Sequence, residues 1–461
     1  MSWRNLTIAT AFLVIIGIAN AQDAPGTSAG GTSGGGGQQG NSPAPAISGT
    51  GSSAGASGAP LGGIERRDLS GARPGALQYT ISANQSFETG AVPSGSGTPE
   101  TSGVSGTLTY TSSTARNQFG TTYSGGGYWS SQSTASSANF QNFEVRDTLN
   151  IRRFTLMVSD DVSYLPQSPI GGYSGIPGVG DLSGNLGFGT LAPTIAPDQT
   201  IFSQYSQRIS NATAGSVTLH VTGRTSVTAM GSYGILNFLD TNGYDSHQEM
   251  AGMTVNHQFS VRNTIGVKYT YTNFGYNDMP VTITTHEPSL IYEHLWSRRL
   301  KSDFEVGPQW YESTQTSPLP TRVAIAGNAS VTYNLARVTS LDLRYIRGIS
   351  GGSGVLIGSR VDTVSLAAMH RFGRSWSASV TGTYSRNAGL LQDQLYTTKS
   401  AGAQLARKLG RDFSCYFSYT AIDQSLSGAP FVAPVNALEG LYHVFGFGIQ
   451  FTSRPIRMRG V

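Results

Sequence analysis

The chain has 461 residues, of which only 12% are charged, with 59 glycines, a single cysteine and a net charge of +4. Soluble domains average about 25% charged residues and about 7% glycine, so this composition fits neither an ordinary soluble globule nor a disulfide-built secreted domain. The small net charge, with no basic patch interleaved with aromatics, excludes nucleic acid as a partner.

Residues 1–21 run from Arg4 through an apolar stretch, Leu6 to Ala19, to the small-residue site Ala19-Asn20-Ala21. That is the layout of a secretory signal peptide cut before Gln22, and the stretch is shorter than the ~20 apolar residues of a spanning helix. Residues 22–75 follow, dominated by Gly, Ser, Ala, Thr and Pro, with no charge between Asp23 and Glu65. Such a segment buries too little apolar surface to offset the entropy of ordering it. The expectation is a flexible periplasmic tail, not the folded plug of a gated transporter.

From there a long-range pattern takes over. Polar breaks containing arginine recur at Arg116, Arg152, Arg224, Arg262, Arg298, Arg337, Arg374 and Arg411. They lie about 37 residues apart, with one double interval between Arg152 and Arg224, and a fixed period of this size marks a repeated supersecondary unit. Each unit reads as an alternating strand of about twelve residues, the tight break, a second strand and a longer loop rich in Gly, Ser, Asn or Pro. A propeller blade would pack four short strands into ~40 residues. Two long strands per period instead match the ~9–11 residues of a tilted membrane strand. About eighteen strands fit between Leu77 and Phe451, and sixteen are left open. An even number puts the short turns in the periplasm and the long loops outside.

The parity of the strands agrees. In "WSASVTGTY", residues 376–384, Trp376, Val380 and Tyr384 share one face and Ser377, Thr381 and Thr383 the other. Val380 is expected to meet lipid and Thr381 a wet lumen. On the clearest strands the charges Lys268, Asp303, Glu305, Asp342 and Arg344 take the polar face, and aromatics such as Phe154, Tyr164, Phe259 and Trp310 collect near strand ends. Asp147 and Lys399 fall on the apolar parity, near strand ends.

In these respects the chain resembles bacterial outer-membrane β-barrels of the porin-like class. The segment Gly446-Phe447-Gly448-Ile449-Gln450-Phe451 is similar to the assembly signal of final barrel strands, with Val444 where a polar residue is usual. The resemblance implies an all-β, transmembrane, antiparallel up-and-down barrel over residues 76–452 with a short C-terminal extension, 453–461. It implies insertion into outer-membrane lipid by the barrel-assembly machinery, with the oligomeric state open and a trimer among the options. General porins carry a constriction loop between strands five and six, and here the segment from Leu165 to about Thr200 takes that place. Asp181 and Asp198 are its only charges. Inward folding and an external flap are both open for it.

Chemistry is mostly absent. His220, His257 and His294 are spaced at the hairpin period, and by parity His220 faces in while the other two face out, so they cannot share an ion. No G-x-S-x-G elbow or H-E-x-x-H pair occurs, and the Gly-rich tracts follow no strand-to-helix pattern. The expectation is therefore no enzyme, cofactor or metal. One constellation stands out: across the turn at Arg298, Glu293 lies opposite Asp303 and Glu305, with Lys268 one strand away. Such carboxylates set cation preference in channels or hold calcium through oxygen ligands, or they pair with lumen arginines such as Arg344 and stiffen the wall. The function expected is passive diffusion of small polar solutes or ions through a pore lined by Lys268, Glu293, Asp303, Glu305, Asp342, Arg344 and Thr381. The alternative is a barrel closed by its own loops, 165–200 and 422–440, that binds a partner at the surface.

Overall fold

A computed structural model describes residues 75–90, 100–114, 116–130, 138–166, 201, 207–239, 243–277, 279–314, 322–336, 338–391, 393–428 and 439–458. The expected signal peptide and most of the tail lie outside the described residues, as do Asp181 and Asp198.

Eighteen long strands form one closed antiparallel sheet. They are β1 (Ala76–Gly90), β2 (Glu100–Ser113), β3 (Asn117–Ser130), β4 (Ala138–Ile151), β5 (Phe154–Pro166) and β6 (Gln207–His220). Next come β7 (Thr225–Phe238), β8 (Ser246–Ser260), β9 (Asn263–Tyr276), β10 (Thr282–Ser297), β11 (Leu300–Ser313) and β12 (Arg322–Ala336). The circuit is completed by β13 (Thr339–Ser350), β14 (Ser359–Phe372), β15 (Trp376–Gly389), β16 (Leu395–Lys408), β17 (Phe413–Ser427) and β18 (Gly440–Thr452). Each strand pairs with its neighbours in sequence, and β18 pairs back onto β1 from Thr80↔Thr452 to Gly90↔Tyr442. The count of eighteen is thus fixed by closure, and sixteen is set aside.

Lengths run from 12 residues in β13 to 16 in β10, enough to cross a bilayer when tilted. The turns β4–β5, β8–β9 and β10–β11 are two residues long and fall at Arg152, Arg262 and Arg298, where the arginine breaks stand. Arg152 takes a positive φ of 48°, as the primed turns of two-residue hairpins require.

Two features were not legible in the alternation. Pro288 and Pro308 sit within long strands, although proline removes a ladder donor. Both face the β10–β11 gap, where pairing lapses between His286↔Trp310 and Leu290↔Val306 with the register unchanged, so a single gap carries both losses. Gly307 makes that approach tolerable: a Cβ there would stand 1.9 Å from the Pro288 carbonyl oxygen. The second feature is β19 (Ile456–Arg457), which pairs with Ala76 and Leu77 and covers the end of β1 that β18 does not reach.

The outer surface carries the apolar row. Val323, Leu290 and Val380 are more than half exposed there, while Ser289 and Thr254 on the inward rows are buried. The girdle residues Phe154, Phe259, Phe304, Trp310, Trp376 and Tyr384 are exposed on the outward row, and Arg407 lies over the Trp376 ring at 5.1 Å. Asp147 and Lys399 do take the outward row. So does Asp160, near mid-strand, where its Oδ1 accepts from Thr213 Oγ1 at 2.6 Å and Asn211 Nδ2 at 3.1 Å. These bonds satisfy a carboxylate that lipid would not.

The parity yields a direct test. Leu366, outward near the middle of β14, changed to Arg should lower unfolding stability in a lipid bilayer by about 2–4 kcal/mol. Its inward neighbour Ser365 changed to Arg should cost less than about 1 kcal/mol, since the lumen hydrates the charge. Equal costs at the two positions would contradict the assignment of faces.

Candidate functional site

The inward row builds the lumen, and its charges gather on β9–β13. Lys268, five residues up β9, reaches across two strands to Glu305 on β11, with Nζ 3.0 Å from Oε1. Ser289 Oγ on the intervening β10 donates to the same Oε1 at 2.8 Å. Glu293 and Asp303 are directly opposed in the β10–β11 register. Lys301 holds them together, its Nζ 2.8 Å from Asp303 Oδ1 and 3.6 Å from Glu293 Oε2. One strand further, Ser330 Oγ donates to Asp303 Oδ2 at 3.2 Å and Thr332 Oγ1 to Asp342 Oδ1 at 2.8 Å. Arg344 stands opposite Ser330 and Ser365. Thr381 lies apart from the charges, between Ala367 and Gly402.

The carboxylates are therefore brought together as expected from parity, but lysines bridge them. Lys301 was readable, since Lys301, Asp303 and Glu305 are two residues apart and so share a face. Glu287 joins the same wall, opposite Thr270. A second inward group went unread: Glu144, Arg146 and Asp161 on β4 and β5, with Arg146 Nη2 3.3 Å from Glu144 Oε1 and Asn142 Nδ2 donating to Asp161. The doublet Asp160-Asp161 conceals it, because one member of any strand doublet must face out. Among the described residues no three His, Cys, Asp or Glu are placed to hold a metal ion. With Lys301 between Glu293 and Asp303, the wall carries its own cation where calcium would sit.

Of the three histidines at the hairpin period, His257 and His294 belong to the outer surface. His257 shares a hydrogen bond with Thr225, His294 with Asn263, and the His294 ring meets Trp296 edge-on at 4.5 Å. His220 pairs with Ser226 on the inward row.

The extracellular end of the lumen holds two apolar clusters. Phe274, Tyr276 and Ile283 project inward from β9 and β10 and pack with Val281 and Ile357 from the loops. The β13–β14 connection, 351–358, folds over them through a 3-10 turn, Gly352–Gly354. Tyr276 Oη donates to Gly351 O at 2.9 Å, Tyr244 N of the β7–β8 loop to Gly354 O at 2.8 Å, and Leu390 N to Gly358 O at 3.1 Å. Val355 and Leu356 meet Tyr396 of β16 and Ile201 of the β5–β6 connection, all four buried. That connection does join strands five and six, and its described residue Ile201 is packed inside the mouth.

The strand closure, the apolar outer band and the polar inner wall define an outer-membrane β-barrel of the porin-like class. No family model matches the sequence, and no curated protein sequence matches it. Solved structures similar in fold include OpdQ of Pseudomonas aeruginosa, 11% identical over 83% of this chain and 98% of that one, with a TM-score of 0.44. OccAB4 of Acinetobacter baumannii is 10% identical over 82% of this chain and 98% of that one, TM-score 0.44. OpdK of Pseudomonas aeruginosa, solved with vanillate, is 8% identical over 82% and 98%, TM-score 0.41. At such identities no residue role transfers, and the reading of the lumen stands on this chain's own side chains.

Changing Lys301 to Met should shift the reversal potential in a salt gradient toward cations, by exposing Glu293 and Asp303. Adding Glu293→Gln and Asp303→Asn should cancel that shift. A reversal potential unmoved by either variant would show that these pairs border no conducting path.

Proposed function

We propose that the barrel is a channel for passive diffusion of small polar solutes and ions across the outer membrane, without catalysis. The observation that carries this reading is the inner wall of β12–β15. There Ser330, Thr332, Thr363, Ser365, Thr381 and Thr383 form a hydroxyl-bearing strip that stays partly accessible. Barrels of 16–18 strands are wide enough for an aqueous path. Hydroxyls exchange hydrogen bonds with a passing solute without holding it. Lys268, Glu293, Asp303, Glu305, Asp342 and Arg344 would line the path as pairs, giving weak discrimination between cations and anions. Asp181 and Asp198 would add to the constriction if their loop follows Ile201 inward.

A second reading rests on the packed extracellular mouth: a barrel closed by Ile201, Val355, Leu356 and Tyr396 that presents its loops to a partner. Single-channel recording in a planar bilayer separates the two. The channel reading expects discrete, long-lived current steps. Gly354→Val should enlarge them, because a Cβ at Gly354 would fall 2.3 Å from the Phe238 ring and displace the 351–358 segment. Insertion without current in both the parent and the variant would favour the closed barrel.

A further inference from the structure

The outer surface carries charge that the channel does not use. Among the described strand residues, every lysine and arginine on the outward row of the extracellular half lies on β13–β16: Arg347, Arg360, Arg386 and Lys399. The register places Arg347 opposite Asp362 and Asp362 opposite Arg386. Arg360 lies two residues nearer the mouth on β14, and Lys399 stands opposite Tyr384, two residues below Arg386. With strands about 4.8 Å apart, the four cations span a patch roughly 15 Å wide. Elsewhere the outward row of this half carries the carboxylates Glu100, Glu249 and Glu312, on β2, β8 and β11.

The carboxylates within the patch orient its cations without burying them. Arg347 Nε is 3.5 Å from Asp362 Oδ1, to which Tyr345 Oη also donates at 3.1 Å. Lys399 Nζ is 3.4 Å from Asp423 Oδ2, and its side chain remains 62% exposed. Arg360 and Arg386 are exposed. Four cations against two carboxylates leave the patch positive. Its height decides the partner. Tyr345, Val364 and Tyr384 share one register row with Lys399, directly below the row of Arg347 and Arg386, and Val380 lies lower still, so the cations stand at and just above the aromatic girdle. That level is where the headgroups of the outer leaflet lie.

The geometry points to a docking surface for a phosphorylated headgroup of an outer-leaflet amphiphile, taken up by Arg347, Arg360, Arg386 and Lys399. Guanidinium forks match phosphate oxygens in pairs, and the girdle seats the acyl chains beneath. The surface is outside the lumen and independent of the transport reading.

The test uses the full-length barrel in detergent, with native mass spectrometry after addition of bis-phosphorylated lipid A or the same lipid stripped of its phosphates. Phosphorylated lipid should be retained and the stripped lipid lost. The variant R347Q/R360Q/R386Q/K399Q should weaken retention about tenfold or more, as expected for several cations facing an anionic surface. The control E249Q/E312Q should bind as the parent does, and circular dichroism with trypsin resistance confirms that both variants are folded. Equal retention of the two lipids, or full retention by the quadruple variant, would overturn the proposal. So would a quadruple variant whose only change is its oligomeric mass, which would mark the patch as a contact between copies.

Discussion

Inside a bilayer no water reaches an unpaired backbone amide, and each unsatisfied group costs several kcal/mol, so a sheet that crosses must close on itself. Here that requirement falls on the β1–β18 seam. Its ladder runs from Thr80↔Thr452 to Gly90↔Tyr442, and β19 takes over where β18 stops short of Ala76. The hydrogen bonds Ser453 N to Tyr79 O and Met458 N to Gly75 O continue the seam past the last long strand. The short extension after β18 thus completes an edge.

Closure then dictates everything about the two faces. Side chains of a closed sheet have one period, two, and one choice, lipid or lumen. Apolar side chains outside are stabilised by lipid, and small hydroxyls inside by water and by one another, as in the Thr218–Thr228 pair at 2.9 Å. The charged wall obeys the same economy. Lys301 is held by Asp303 of its own strand and Glu293 of β10, and Lys268 by Glu305 two strands away, so the lumen is polar without a strong field of either sign. At the extracellular end the rule relaxes, because loops and not lipid cover the inner wall. Phe274, Ile283 and Tyr396 can face inward there and anchor the 351–358 segment.

The sequence made the periodic part of this legible and left the rest unread, for physical reasons. Arginine breaks and alternation located the strands because both repeat, and centring the turn on Arg298 placed Glu293 opposite Asp303, a pairing that the structure reaches through a bulge between Leu295 and Ser297. Cross-strand partners further along the chain, such as Lys268 for Glu305, need the register of three strands at once. Asp160 was hidden because its partners Asn211 and Thr213 lie beyond the longest connection. The inward aromatics of the mouth carry no signal of their own, since Phe274 and Tyr276 alternate just as girdle residues do. Val444, irregular by comparison with other final strands, turns inward and is buried.

The central claim is that one row of every strand meets water and the other lipid. With Cys415, the chain's sole cysteine, replaced by Ser, single cysteines along β15 can be tested in proteoliposomes with a membrane-impermeant maleimide. Ser377, Ser379, Thr381 and Thr383 replaced by Cys should label, and Ala378, Val380, Gly382 and Tyr384 replaced by Cys should stay unlabelled. Labelling without alternation, or with the opposite parity, would contradict the account.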